Sequence, residues 1–141
     1  MFKSFLAVVV TGFFIIAHTN AQAAEVAPPN VEGAETIDVK QAKALHDDGA
    51  LFIDLRMEED FAKGHIPGSE SLNLAGPFNK DAIEMLAEKD QAIVFYCYGT
   101  ACMRSYTAST RAVSWGYTNI KYFRAGMPAW TEAGHPVSTP E

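Results

Sequence analysis

Cys97 and Cys102 are the only cysteines of this chain, and both fall in the segment Cys97-Tyr98-Gly99-Thr100-Ala101-Cys102-Met103-Arg104-Ser105. A pair this close in sequence cannot staple distant parts of a fold, so its work is local. The apolar run Ala92-Ile93-Val94-Phe95-Tyr96 precedes the segment, and a helical pattern from Ser105 to Trp115 follows it. A short loop between a buried strand and a helix start aims several backbone N–H groups at one point, where the helix dipole adds partial positive charge. A thiol in that field is biased toward thiolate, and the same N–H groups can hold an anion against its sulfur. The expected site is therefore Cys97 as nucleophile, with Tyr98, Gly99, Thr100, Ala101, Cys102, Met103 and Arg104 forming the substrate-binding loop. Arg104 stands where the helix dipole disfavours a cation unless an anion is also present.

The surrounding chain must position this loop. Asp38 with Gln41 reads as a capping box opening a helix that carries Val39, Ala42 and Leu45 on one face, with Ile37 and Ala42 placed as a staple and Gly49 as the stop. Leu51-Phe52-Ile53 predicts a buried strand, Glu58 to Lys63 a short helix ended by Gly64, and Pro67-Gly68 a type II turn. Leu72-Asn73-Leu74 predicts a weak strand, and Asn79 caps a helix with Ile83, Leu86 and Ala87 inward. The run from Ala92 to Tyr96 is apolar on both faces, as the centre of a helix-covered parallel sheet requires. Ile120 to Phe123 predicts a further strand and Pro128 to Ala133 a last short helix. Strands alternating with helices predict one α/β domain around a mainly parallel sheet with helices on both faces. In such sheets ligands bind beyond the carboxyl ends of the strands, which is where Cys97 falls.

The motifs, taken in order, resemble the rhodanese family over roughly residues 36 to 137. The resemblance rests on Leu51-Phe52-Ile53-Asp54-Leu55-Arg56, on Glu59-Asp60-Phe61 followed by Gly64-His65-Ile66-Pro67-Gly68-Ser69, and on Ile93 to Cys97 with Gly99 and Arg104-Ser105. It continues through Gly116-Tyr117, Asn119-Ile120 and Arg124-Ala125-Gly126-Met127-Pro128-Ala129-Trp130. It implies a sulfurtransferase that needs no metal or organic cofactor. Its nucleophile, matched by position to Cys97, takes sulfane sulfur from a small anionic donor such as thiosulfate and passes it from a persulfide to a thiol or cyanide. Arg104 matches the loop arginine, suited to orienting an anionic donor.

Two features depart from the common pattern. Six residues separate Cys97 from Arg104, more than in the usual rhodanese loop, and wider loops in this superfamily fit phosphate or arsenate. The loop also resembles a C-x-G-x-x-C-x-R-S variant of exported rhodanese-like proteins. There Cys102 could resolve the persulfide, close a disulfide with Cys97, or itself be the nucleophile. Three functions follow: a sulfurtransferase, a phosphatase or arsenate reductase, and a non-catalytic redox or binding module with a Cys97–Cys102 disulfide.

Asp54 and Arg56 are expected to brace the fold by ion pairing, His65 to serve its turn, and Trp115 and Trp130 to pack. His46, His65 and His135 lie at no metal-ligand spacing.

At the N-terminus, Lys3, the apolar run Phe5 to Ala17 and the small residues of Ala21-Gln22-Ala23 predict a signal peptide over residues 1–23. The run is short for a membrane span, so no membrane association is expected after cleavage. A flexible lead-in is expected over 24–35, the domain over 36–138 and a tail over 139–141. The chain carries a formal charge of −6, which disfavours a nucleic-acid partner. Length allows one domain. Export permits disulfides, and the likeness to bacterial proteins points to the periplasm.

Overall fold

A computed structural model describes residues 26–141. The expected signal peptide, residues 1–23, lies outside the described residues. Five strands form one parallel sheet: β1 (Ala34–Thr36), β2 (Leu51–Asp54), β3 (Glu70–Ser71), β4 (Ile93–Tyr96) and β5 (Ile120–Phe123), in the spatial order β1-β5-β4-β2-β3. The connections carry α1 (Val39–Asp47), α2 (Glu58–Lys63), α3 (Lys80–Leu86) and α4 (Met103–Ser114), and α5 (Gly126–Glu132) follows the last strand.

Two cores form, one on each face, because successive strand residues point to opposite sides. Ile93, Phe95 and Cys97 face α3 and α4, where they pack with Ile53, Ile83, Ala108, Ala112 and Ile120. Val94 and Tyr96 face α1 and α5, with Phe52, Ala42, Phe123, Met127 and Trp130. All four residues of β4 are buried, so this strand is the axle of the fold and its end is fixed from both sides. Truncating a ring such as Phe95→Ala at its centre costs about 3–5 kcal/mol. Small residues at Ala108 and Ala112, both fully buried, let α4 approach the sheet closely.

Local signals explain the element starts. Asp38 accepts from the Gln41 N–H at 2.8 Å while the Gln41 side chain accepts from the Asp38 N–H at 2.9 Å, the reciprocal pair expected of a capping box. Asn79 caps α3 by accepting from the Ala82 N–H at 2.9 Å. Gly68, at φ +77°, and the 3.1 Å Ser69 N–H to Ile66 carbonyl bond form the turn that Pro67-Gly68 predicts.

Four expectations are corrected. The strand expected at 72–74 is Glu70–Ser71. Leu72 and Leu74 still donate N–H bonds to Asp54 and Leu55, but their side chains pack on the core while the chain turns away from the ladder. Apolar pattern marked the packing residues, not the paired ones. α4 starts at Met103 rather than Ser105, because Cys102 takes the extended N-cap position (φ −87°, ψ 119°). The last helix starts at Gly126 rather than Pro128; Pro128 lies in its first turn, where a missing N–H costs nothing.

The fourth correction concerns the lead-in expected at 24–35. From Ala27 onward it is docked. Ala27 and Val31 are buried, Ala34–Thr36 is β1, and the Arg124 guanidinium donates to the Ala27 carbonyl at 2.7 and 3.1 Å. Little local periodicity announced this segment, because its partners lie nearly a hundred residues away.

Candidate active site

Cys97 is the first residue beyond β4, and its backbone is clamped. The Met127 N–H donates to the Cys97 carbonyl at 3.0 Å. Gly126, at φ +62°, packs so closely on that carbonyl that any Cβ would collide with it, so only glycine serves there. The chain then turns through Gly99 at φ +132°, and the Cys102 N–H closes the turn on the Gly99 carbonyl at 3.0 Å. Met103 opens α4. The first-turn N–H groups have no intrahelical acceptor, and Cys102 supplies no side-chain cap for them. The turn and helix start expected from the sequence are thus brought together around one point.

At that point Cys97 and Cys102 are disulfide-bonded, with Cα atoms 6.6 Å apart. Their environments differ. Cys97 is 1% exposed and belongs to the apolar core. Its sulfur accepts from the Ser105 hydroxyl at 3.7 Å, and Ser105 is itself fully buried. Cys102 is half-buried and lines a cleft of about 410 Å³ with Tyr98, Gly99, Thr100, Ala101, Pro128 and Glu132. Cys97 does not line it.

The other loop residues take distinct places. Tyr98, 39% exposed, donates its hydroxyl to Asp60 at 2.5 Å and accepts from the Met57 N–H at 3.2 Å. Burial, and then the bond to Asp60, push the Tyr98 phenol up; the same bond, helped by Lys63, holds the Asp60 carboxyl below its usual range. The Thr100 carbonyl accepts from the Ala27 N–H at 2.9 Å, so the docked N-terminal segment braces the loop. Ala101 and Met103 are exposed. Arg104 donates to the Leu55 carbonyl at 3.1 Å and to Asn73 Oδ1 at 2.5 Å. Its guanidinium is thereby anchored on the segments that follow β2 and β3.

Beside the loop, Arg56 grips Asp54 through contacts of 2.7 to 3.1 Å and donates to the Gly64 carbonyl at 2.7 Å. Both residues are buried. Burial opposes the Arg56 charge, but the hydrogen bond and attraction to Asp54 outweigh it and hold its pKa above the ordinary value. The bracing role expected for this pair is what its contacts perform. His65 stacks on Phe61 at 3.7 Å, and its backbone exchanges two 2.9 Å bonds with Ser138. Tyr96 donates to Ser69 and accepts from the Ile66 N–H, both at 3.1 Å, which ties the turn to the central strand. Burial and the nearby Asp54 charge push its phenol well above its usual range.

Sequence reasoning missed Asn73, Asp60, Met57, Ala27 and Glu132 as neighbours of the loop, and it named Ser105 only as a helix opener. Ser105 carries a local signal, since it sits in the first turn of the helix facing the sulfur. The others do not, because each reaches the loop across thirty or more residues or through tertiary packing.

The family model for the rhodanese-like domain matches residues 38–133. The thiosulfate sulfurtransferase GlpE of Pseudoalteromonas translucida is 33% identical over 98 residues, covering 69% of this chain and 89% of that protein. Protein HIGH ARSENIC CONTENT 1, mitochondrial, of Arabidopsis thaliana is 29% identical over 127 residues, covering 82% of this chain and 73% of its own length. In fold, the solution structure of the rhodanese-like domain of the Anabaena protein Alr3790 superposes with a TM-score of 0.64 at 21% identity, covering 74% of this chain and 79% of that one.

Proposed function

Because this chain belongs to the rhodanese-like domain family, we propose that it is an exported sulfurtransferase whose nucleophile is Cys97. The observation that carries the reading is the placement of the Cys97 sulfur. It lies at the end of the central strand, facing the start of α4, with the Ser105 hydroxyl donating to it at 3.7 Å. A thiolate there is met by donors and by the positive end of the helix dipole.

The reaction begins from the dithiol form, since sulfur bonded to Cys102 cannot attack. The Cys97 thiolate attacks the outer sulfur of thiosulfate. A sulfur–sulfur bond forms to Cys97, the bond inside thiosulfate breaks, and sulfite leaves with the electron pair. The persulfide then passes its outer sulfur to a thiol or to cyanide. Loop N–H groups between Gly99 and Ser105, apart from that of Cys102, which is bonded to the Gly99 carbonyl, hold the anionic donor and then the persulfide, while Gly126 and Met127 keep the Cys97 backbone still. Arg104, held by Leu55 and Asn73, adds positive charge on the donor's path. The segment 1–23 supports export, and the periplasm is the compartment we assign. Among the described residues no helix is long and apolar enough to cross a membrane.

The disulfide favours one second reading, a redox module without turnover. The two are separated by incubating the reduced protein with thiosulfate and cyanide. The sulfurtransferase reading requires thiocyanate and sulfite, both lost in Cys97→Ser with the fold retained by circular dichroism. Absence of sulfite from the reduced protein would leave the redox module.

A further inference from the structure

The Cys97–Cys102 bond joins a buried cysteine to one that lines a cleft. Cys97 is 1% exposed, whereas Cys102 is half-buried and lines the cleft together with Pro128 and Glu132. A bulky thiol entering that cleft meets Cys102 and not Cys97, which does not line it. The bond itself demonstrates that the loop backbone can bring the Cys102 sulfur onto Cys97 without disturbing the clamp at Gly126 or the turn at Gly99. Within one loop, a thiol so placed competes with external acceptors at an effective concentration they do not reach in solution.

Resting on the sulfurtransferase reading, we infer that Cys102 is a second catalytic residue, which resolves the Cys97 persulfide internally so that sulfur leaves as hydrosulfide and a dithiol resets the enzyme at Cys102. The Cys102 thiolate attacks the Cys97 sulfur. The Cys97–Cys102 bond forms, the persulfide bond breaks, and the outer sulfur departs with the electron pair and the Cys102 proton as hydrosulfide. The sulfane sulfur is reduced and the two cysteines are oxidised, giving the disulfide seen here. A dithiol then attacks Cys102 from the cleft, Cys97 leaves as thiolate, and the second thiol of the dithiol displaces Cys102. Over the cycle, thiosulfate and a dithiol become sulfite, hydrosulfide, a cyclic disulfide and a proton. Attack at Cys102 rather than Cys97 regenerates the buried nucleophile as the leaving group, which its donors stabilise.

The test is a single turnover. Reduced protein, freed of reductant, is mixed with one equivalent of thiosulfate, and sulfite, hydrosulfide, free thiols and bound sulfur are measured. The wild type is expected to release one equivalent each of sulfite and hydrosulfide and to lose both thiols. Cys102→Ser is expected to release sulfite, keep one extra sulfur on the peptide carrying Cys97, and release hydrosulfide at least about tenfold more slowly until dithiothreitol is added. Cys102→Ala serves as a second variant, and the wild-type arm decides even if both variants unfold. A wild type that retains its persulfide with Cys102 open to alkylation overturns the inference while leaving the sulfurtransferase reading intact. Protein that yields neither sulfite nor bound sulfur overturns both.

Discussion

The Ser105 hydroxyl donates to the Cys97 sulfur at 3.7 Å from inside the first turn of α4, and neither residue is more than 1% exposed. That contact ties the Cys97 sulfur to the helix that faces it. A donor to sulfur favours thiolate over thiol. Removing it in Ser105→Ala is expected to slow alkylation of reduced Cys97 by iodoacetamide about tenfold at neutral pH, the size of one net hydrogen bond. The rate should recover at alkaline pH, where the thiol ionises unaided. An unchanged pH profile would remove Ser105 from the site.

Arg104 reaches Asn73 Oδ1 at 2.5 Å and the Leu55 carbonyl at 3.1 Å. Its charge is therefore aimed by partners outside the loop. Arg104→Ala is expected to raise the KM for thiosulfate about tenfold with a smaller effect on kcat, because it removes attraction to the anionic donor. Asn73→Ala, which leaves the charge but frees the side chain, should raise KM in the same direction by less. A KM that stays fixed in Arg104→Ala would leave that residue a helix-start brace only.

Asp54 is fully buried and its charge is answered by Arg56 at 2.7 Å. Breaking a buried pair from one side leaves a carboxylate without water or partner. Arg56→Ala is expected to lose about 3–5 kcal/mol in urea unfolding. Arg56→Lys should recover only part of this, since a point charge cannot reproduce the fork. A loss as small as that of a surface pair would show that solvent reaches Asp54.

The bond from Tyr98 to Asp60 makes a pH prediction. Tyr98, and then Lys63, lower the Asp60 pKa from its ordinary 3.8. The unfolded chain thus binds the proton more tightly, so the stabilisation is complete above about pH 4 and fades as pH falls through the lower folded value. Tyr98→Phe should lower the Tm at neutral pH, and the gap to wild type should close in acid. A gap that is constant with pH would mean that the hydroxyl acts through the Met57 N–H bond and not through Asp60.

Much of the site was legible in the chain. Cys97 follows an unbroken apolar run, and that run is the buried central strand because parallel strands covered on both faces need apolar side chains on both. The capping pairs at Asp38 and Asn79 were legible because their partners sit three residues away. Legibility failed where position depends on distant partners. The strand expected at Leu72 to Leu74 packs there but pairs at Glu70–Ser71, since burial and ladder pairing are separate demands on one segment. The lead-in proved docked because Arg124 and Thr100 hold Ala27, contacts that leave no periodic trace.

The sequence by itself determined the alternation of strands and helices, the family and the cysteine loop proposed as the site, because each depends on residue type and short-range spacing. Tertiary structure alone decided that Cys97 is buried while Cys102 faces a cleft, that the two sulfurs meet, and that Arg104 is aimed by Asn73. Spacing along the chain limits how far apart two groups can lie. Only the packing of α4 and α5 against the end of β4 sets which cysteine is buried and which lines the cleft.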